Sequence, residues 1–462
     1  MNETVKALQE ERKSMYSAVY SNRIPKRVPV NISITNHMVA SYGGISPIEA
    51  QFNYKLLGEP AMDICGKVKC DKAPVTPVGL NMSRPPLVYQ ILGAKSFVMG
   101  KTGQVQHPEV CGMEASDYDY LIEDPFACLL ERVMPRQYSE LNPEKPIDML
   151  NAFLNGKAAL AKNTSDSLTY YGKLVDAYGF YPGAPAGSSG FAEAPFDYIG
   201  DQLRGFSNVS MDIRREKKRL AEACEAVLPL MFYWGLNANP HPEGSTFTPL
   251  HMPTFMREKD FENLWLPTYV KLTQQWAACG VRTKAFCEDN WMRYLDHLME
   301  LPAGTELWFE YGDPKEIKEK LGKKFIITGL YPINLLKTGT KEECIDKAKE
   351  LLDIMMPGGN YIFGLDKNPL VLSDVNMENV YALTEFLSEN AEYQNAGEVA
   401  DGQLLNSEGF TFDETVIKPI ESKYRFSWTD YKERNPLVPD SVEKVISEID
   451  LETLKFYLNL LV

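Results

Sequence analysis

No long run of basic residues occurs in this chain, and 63 acidic residues outweigh 48 basic ones, for a net charge of −15. Phosphate recognition needs concentrated Lys and Arg, so neither a nucleic acid nor an anionic membrane surface is expected as a partner. Long apolar runs are missing too. The longest, residues 226–236, holds Pro229 and Gly235 and falls well short of the ~20 residues that span a bilayer. The opening stretch, MNETVKALQEERKSMYSAVYSNR, is charged and helix-like, unlike a signal peptide. Cysteine is sparse: eight are scattered without the spacing of a disulfide framework, which fits a reducing cytoplasm. Cys65 and Cys70 form the closest pair, but no second pair completes the four ligands of a zinc finger. No GxGxxG follows a strand, and no DxHxxG cobalamin-binding signature occurs.

What is present is apolar material and, later in the chain, a regular rhythm. With 462 residues, 44% hydrophobic and 11% aromatic, the chain can bury a large core. In RIPKRVPVNISI, Val28, Val30, Ile32 and Ile34 alternate as in a strand. Residues 35–110 are irregular and rich in Pro and Gly, and residues 145–178 read as helix. GFYPGAPAGSSGF (179–191) is a flexible loop of the kind that often covers a site. MDIRREKKRLAEACEAVLPLM is a helix with Leu220, Ala223, Val227 and Leu228 on one face, and LMFYWGL reads as an aromatic strand after it.

From about residue 255, helix and strand alternate: a helix ending at Gly280, VRTKAF, a helix, GTELWFEY, a short helix capped by Asp313, KKFIITGL, a helix after Thr340, GGNYIFGL and a last helix. Such alternation with tight loops implies parallel strands joined by crossover helices. Four units of this kind point to the second half of an eight-fold barrel over an open doubly wound sheet. The expected organisation is an α/β chain, a TIM barrel over residues 1–395 with N-terminal helical and irregular insertions. Residues 396–462 then form a C-terminal extension packed on the barrel or on a subunit neighbour, as in a homodimer. Within it, Val442, Val445, Ile446 and Ile449 are spaced for one helix face.

Chemistry concentrates at KAFCEDN (284–290). Neighbours on a strand face opposite sides, so Cys287 and Glu288 cannot both line one surface. Glu310 and Tyr311 end the next strand, where barrel sites lie, although Glu310 is equally suited to capping the following helix. Only five histidines are present. His241 and His251 flank a loop after an expected strand, and His37 follows Asn36 at the end of the first strand-like segment. Each suits acid/base work near neutral pH, or a plain loop hydrogen bond to backbone. His297 reads as an exterior residue, and His107 carries no assignment. Tyr233 and Trp234, with Phe232, Phe180 and Tyr181, suit a flat organic substrate by stacking, although strand aromatics more often build core.

Several segments, in order, carry a resemblance: RVPV, MEASDYDYLIEDP…MPR (113–136), FMREKDFENLWLP (255–267), residues 284–295, LYPINLLKTGTKEE and PGGNYIF…NMENVYALTEF. Over roughly residues 10–393 the chain resembles the uroporphyrinogen-decarboxylase superfamily, closest to its long, methyltransferase-like branch. The resemblance implies a TIM barrel with its site at the C-terminal strand ends, and either tetrapyrrole decarboxylation or methyl transfer to a corrinoid protein. The decarboxylases carry an arginine-rich N-terminal segment; here the corresponding stretch, SITNHMVASYGG, has no arginine. The methyltransferases carry a zinc-type ligand set with His-x-Cys at the strand reading KAFCEDN. Here Ala285 stands where that histidine would be, and FCED resembles the Phe-x-Glu-Gly form with Asp289 in place of glycine.

The reading that follows is a cytoplasmic methyltransferase. It moves a methyl group from a small methylated substrate, an aryl methyl ether by its aromatics, to cobalamin on a separate corrinoid partner protein. Glu288, His37 and His251 are the catalytic candidates. Asn36, Tyr233, Trp234 and Tyr311 are the substrate-binding ones. Glu288, Cys287, Glu310, Asp366 and His241 are the candidate ligands of a zinc ion. The alternatives are a decarboxylase-like lyase acting on a carboxylated small molecule, and a non-catalytic ligand-binding barrel.

Overall fold

The computed structural model describes residues 2–75, 86–405 and 410–461. Its centre is a six-stranded, all-parallel sheet of β1 (Ser189–Phe191), β2 (Ser245–Leu250), β3 (Thr283–Asn290), β4 (Glu306–Tyr311), β5 (Ile326–Tyr331) and β6 (Tyr361–Leu365), paired in chain order. Around it lie α1 (Glu3–Tyr20), α2 (Pro146–Tyr178), α3 (Lys217–Gly235), α4 (Leu266–Ala278), α5 (Pro314–Leu321), α6 (Lys341–Met355), α7 (Met377–Asn390) and α8 (Glu443–Leu460). Parallel neighbours need crossovers: α4 joins β2 to β3, α5 joins β4 to β5, and α6 joins β5 to β6. The short segments Met292–Tyr294 and Leu295–Leu298 lie between β3 and β4 in place of the longer helix expected there.

The local chemistry explains these boundaries. Asp313 accepts the N–H groups of Lys315 and Glu316, with Pro314 opening α5. Thr340 and Glu343 form a reciprocal capping box on α6. β5 and β6 are buried along their whole length, as parallel strands covered on both faces are.

Three more segments continue the hydrogen-bonded order by single parallel bridges: Val30 with Phe363, Ile34 with Val75, and Lys72 with Tyr181. The expected strand at 28–34 is reduced to such bridges, in part because Pro29 has no N–H to donate. The class is thus α/β with six formed parallel strands. Residues 76–85 of the irregular region lie outside the described residues.

Three further expectations change. LMFYWGL is not a strand but the last turns of α3, because Ala223, Val227, Leu230, Met231 and Trp234 continue one buried helical stripe. The helix expected over 211–231 is divided at Glu216 between Phe206–Arg215 and α3. The loop 179–191, after Gly179 ends α2 in a left-handed conformation, leads into the N-terminal end of β1 and away from the cleft described below.

The C-terminal extension folds back on its own chain. Trp234 Nε1 donates to Asn459 Oδ1 at 2.9 Å, Phe412 stacks on Phe232 at 5.4 Å, and Phe456 meets Phe153 edge-on at 5.1 Å. α8 buries Leu454, Phe456, Leu458 and Leu460, whereas Val445 and Ile449 stay exposed. No helix among the described residues is long and apolar enough to cross a membrane.

Candidate active site

The residues that follow the C-terminal strand ends gather around a cleft of about 620 Å³ lined by Asp201, His251, Glu288, Glu310 and Tyr311, with Phe206 and Phe255 at its wall. Each polar wall comes from a different strand. β1 runs directly into the helical segments Pro195–Asp197 and Tyr198–Arg204, which carry Asp197 and Asp201, while Glu193 sits just before them, close enough to feel both charges. Asp197 is fully buried. It accepts from Trp265 Nε1 at 2.9 Å and from the backbone N–H groups of His251 and Met252 at 3.2 and 3.3 Å. This carboxylate therefore fixes the turn after β2.

That turn presents His251 between two acids. Its Nδ1 lies 2.9 Å from Asp201 Oδ2 and its Nε2 lies 2.9 Å from Glu288 Oε2. Both ring nitrogens donate at once only in the imidazolium form. Burial works against that charge, but the hydrogen bonds and charges of Asp201 and Glu288 outweigh it and raise the pKa of His251 well above its usual value. Glu288 shows the converse: burial opposes its charge, and His251, aided by Lys367, holds its carboxyl below the ordinary range.

Glu310 stands on β4 beside Glu288. Its Oε2 accepts the N–H of Asp289 at 2.8 Å and its Oε1 meets Lys367 Nζ at 2.6 Å. Asp366, just past β6, accepts the N–H groups of Ile333 and Lys367 at 3.1 and 2.7 Å, and burial pushes its carboxyl up to about 6. Glu193 is buried with Oε1 bonded to Gln202 Nε2 at 2.9 Å and Oε2 without a partner. Burial first, then the charge of Asp201, raises its pKa toward a neutral acid.

Of the sequence candidates, Glu288, His251, Glu310 and Tyr311 line this one cleft, and Asp366 joins it through Lys367. Cys287 takes the opposite face of β3, fully buried, where burial raises its thiol pKa. His241 precedes β2, at the other end of the sheet, and its Nδ1 accepts the N–H of Glu243 at 3.2 Å. Tyr233 and Trp234 lie on α3, with Trp234 committed to Asn459. Asn36 and His37 open a short buried helix. His37 Nε2 is 3.1 Å from Thr102 O, and neither amide atom of Asn36 has a partner.

A zinc centre needs three or more converging donors. Among the described residues, the one group of three such atoms within 4.8 Å of one another is Glu258, Glu262 and His297, outside the cleft. In the cleft, Cys287 faces away, Lys367 and an N–H occupy Glu310, backbone N–H groups occupy Asp366, and both nitrogens of His251 are engaged. The donors as arranged do not fit zinc.

Glu193, Asp197, Asp201 and Lys367 were absent from the sequence candidates. The first three had a readable signal, the E-x3-D-x3-D spacing of FAEAPFDYIGDQ immediately after a Gly-rich segment. No protein-family model matches the chain, and a comparison with curated proteins gives no match either.

Proposed function

We propose that the cleft is the active site of a methyltransferase that demethylates a small methylated substrate, an aryl methyl ether, with the cobalt of a separate corrinoid protein as methyl acceptor. The single observation that carries a proton-assisted transfer is the His251 imidazole held between Asp201 and Glu288. The sequence resemblance to corrinoid methyltransferases supplies the reaction class. A TIM barrel is the fold that goes with it, supported by the bridges that run from β6 through residues 28–34 and 71–75 to Tyr181.

An ether oxygen is a poor leaving group until it is protonated or otherwise stabilised. His251 is placed to do this. As the methyl carbon leaves for the acceptor, the carbon–oxygen bonding pair would pass to oxygen, and oxygen would accept the Nε2 proton of His251. Asp201 keeps the ring oriented, and Glu288 holds the transferable proton until substrate replaces it. The neutral imidazole is then reprotonated from solvent, which reaches its 41% exposed side chain. Here the proton takes the part that a Lewis-acid metal would play. We place the chain in the cytoplasm on its cysteine pattern.

The test is a spectral assay of cob(I)alamin methylation on a partner corrinoid protein, with a panel of methoxy-aromatics, methanol and methylamines. Turnover of a methoxy-aromatic, lost in His251→Asn, supports the reading. A silent panel together with CO₂ release from a carboxylated substrate favours the decarboxylase-like alternative, for which the buried, neutral Glu193 would protonate the carbanion.

A further inference from the structure

Beneath the cleft, the same face of the sheet continues downward in layers. On β3 the residues sharing the face of Glu288 are Phe286 and Lys284, and their registered partners on β4 are Trp308 and Glu306. Phe286 and Trp308 lie 4.3 Å apart, and both keep accessible surface, as do Phe191 and Phe247. Accessible rings on the inner face of a covered sheet mark interior space above the Lys284 layer. The lower end is closed by α1, whose Tyr16 stacks on Tyr181 at 4.3 Å and clusters with Ile326 and Ile362.

The floor carries more positive charge than its partners neutralise. Glu306 is the buried acid at this level, and both its oxygens are taken, by Lys284 Nζ at 2.6 Å and Tyr20 hydroxyl at 3.1 Å. Arg282 Nη1 donates to the backbone carbonyl of Gly304 and Nη2 to those of Tyr20 and Pro242, while its Nε has no partner. Lys72 points the other way from Asp71, whose carboxylate is held by Arg27 and Arg12. Its ammonium is close enough to Lys284 and Glu306 to feel both charges, with burial as the larger influence lowering its pKa. Among the described residues no acid or carbonyl bonds to it. Lys72 keeps accessible surface, so a partly exposed ammonium with no bonded counter-charge at the floor of the interior is suited to meet an anion brought by a ligand.

We propose that Lys72 is the anchor of an anion subsite at the inner end of the cleft, which takes the carboxylate of a flat aromatic substrate lying against Phe286 and Trp308. This deepens the methyl-transfer reading and rests on its placement of the reacting group at His251. Four residues of strand, from Lys284 to Glu288, span about 13 Å. One substituted aromatic acid, met from below by the lysine side chain, fills that height. The polarity is sorted accordingly: cation at the floor, rings between, proton donor at the mouth. An uncharged ligand, by contrast, would leave the Lys72 ammonium without a counter-charge.

The experiment is calorimetric binding of 3-methoxybenzoate and its uncharged counterpart 3-methoxybenzamide to the full chain, without any methyl acceptor. The acid is expected to bind at least about tenfold tighter than the amide. Lys72→Met is expected to remove that difference while leaving amide binding intact, and Lys72→Arg to restore part of it. If Lys72→Met does not fold, as judged by its thermal transition, the acid-to-amide ratio on the unaltered protein and on Lys72→Gln decides. Equal affinity for the two compounds, no binding of either, or an unchanged preference in a folded Lys72 variant overturns the subsite. Preferential acid binding with a silent methyl-transfer assay instead removes the methyltransferase reading and leaves the subsite standing.

Discussion

Glu310 accepts the backbone N–H of Asp289 across the β3–β4 pair, at 2.8 Å. The residue it holds has φ of 61°, in the left-handed region that disfavours side chains with a Cβ. The chain turns sharply at this residue and leaves Glu288 facing His251.

Asp289→Gly should therefore be tolerated, within about 1 kcal/mol of the native chain, since relief of the left-handed strain offsets the added freedom of the unfolded state. Asp289→Val should cost about 1–3 kcal/mol, as a strained, branched residue at that φ does. Urea unfolding of the two variants checks this; equal stability would remove the role assigned to the turn.

At His251 the expectation concerns rate. His251→Asn should lower turnover by about 10²–10⁴, the usual contribution of a positioned acid, with substrate affinity largely kept. Asp201→Asn should retain activity but move the alkaline limb of the kcat profile to lower pH, because one of the two acids holding the proton on His251 is gone. A profile that does not move would mean that Asp201 only packs against the ring.

Asp366 gives a pH-dependent stability of known sign. Its carboxyl is raised to about 6, so the folded state binds a proton the unfolded state releases near 4. Stability from this group is full below the unfolded value and falls as pH rises through about 6. Asp366→Asn can keep both backbone hydrogen bonds without the charge. Relative to the native chain, it should gain on the order of 1–3 kcal/mol between pH 4 and pH 7. Denaturant titrations at the two pH values measure the difference, and parallel curves would contradict it.

The second half of the sheet was legible because its helices announce themselves chemically: Asp313 before Pro314, Thr340 with Glu343, Gly280 after an amphipathic run. The Phe232–Trp234 stretch was not, since aromatic side chains suit strand and helix alike and only packing against Phe412 and Asn459 decides. In the site, strand alternation sufficed to separate Glu288 from Cys287. It could not show that His241 and His251, ten positions apart, stand at opposite ends of β2, because that depended on where the strand lay between them. The burial of Glu193 and Asp197 is not visible in their spacing along the chain, because it depends on what packs over them.

The extension should be structural. Phe456 is nearly fully buried against Phe153, so Phe456→Ala should cost about 3–5 kcal/mol and lower the thermal transition markedly. Leu437→Ser, at an exposed position, should change neither. A stable Phe456→Ala protein would show that α8 is a removable appendage.

The acid–imidazole–acid clamp has a consequence for how the protein comes into being. Its three members, Asp201, His251 and Glu288, belong to three successive strand–helix units, and Glu310 and Lys367 add two more. No short stretch of chain contains it. During synthesis the histidine meets its second acid only after β3 has joined the sheet, and the Lys367 contact forms after β6. Loop closure over such separations makes formation slow and all-or-none. A chain cut before β3 therefore lacks the clamp, which is assembled only as the sheet is completed.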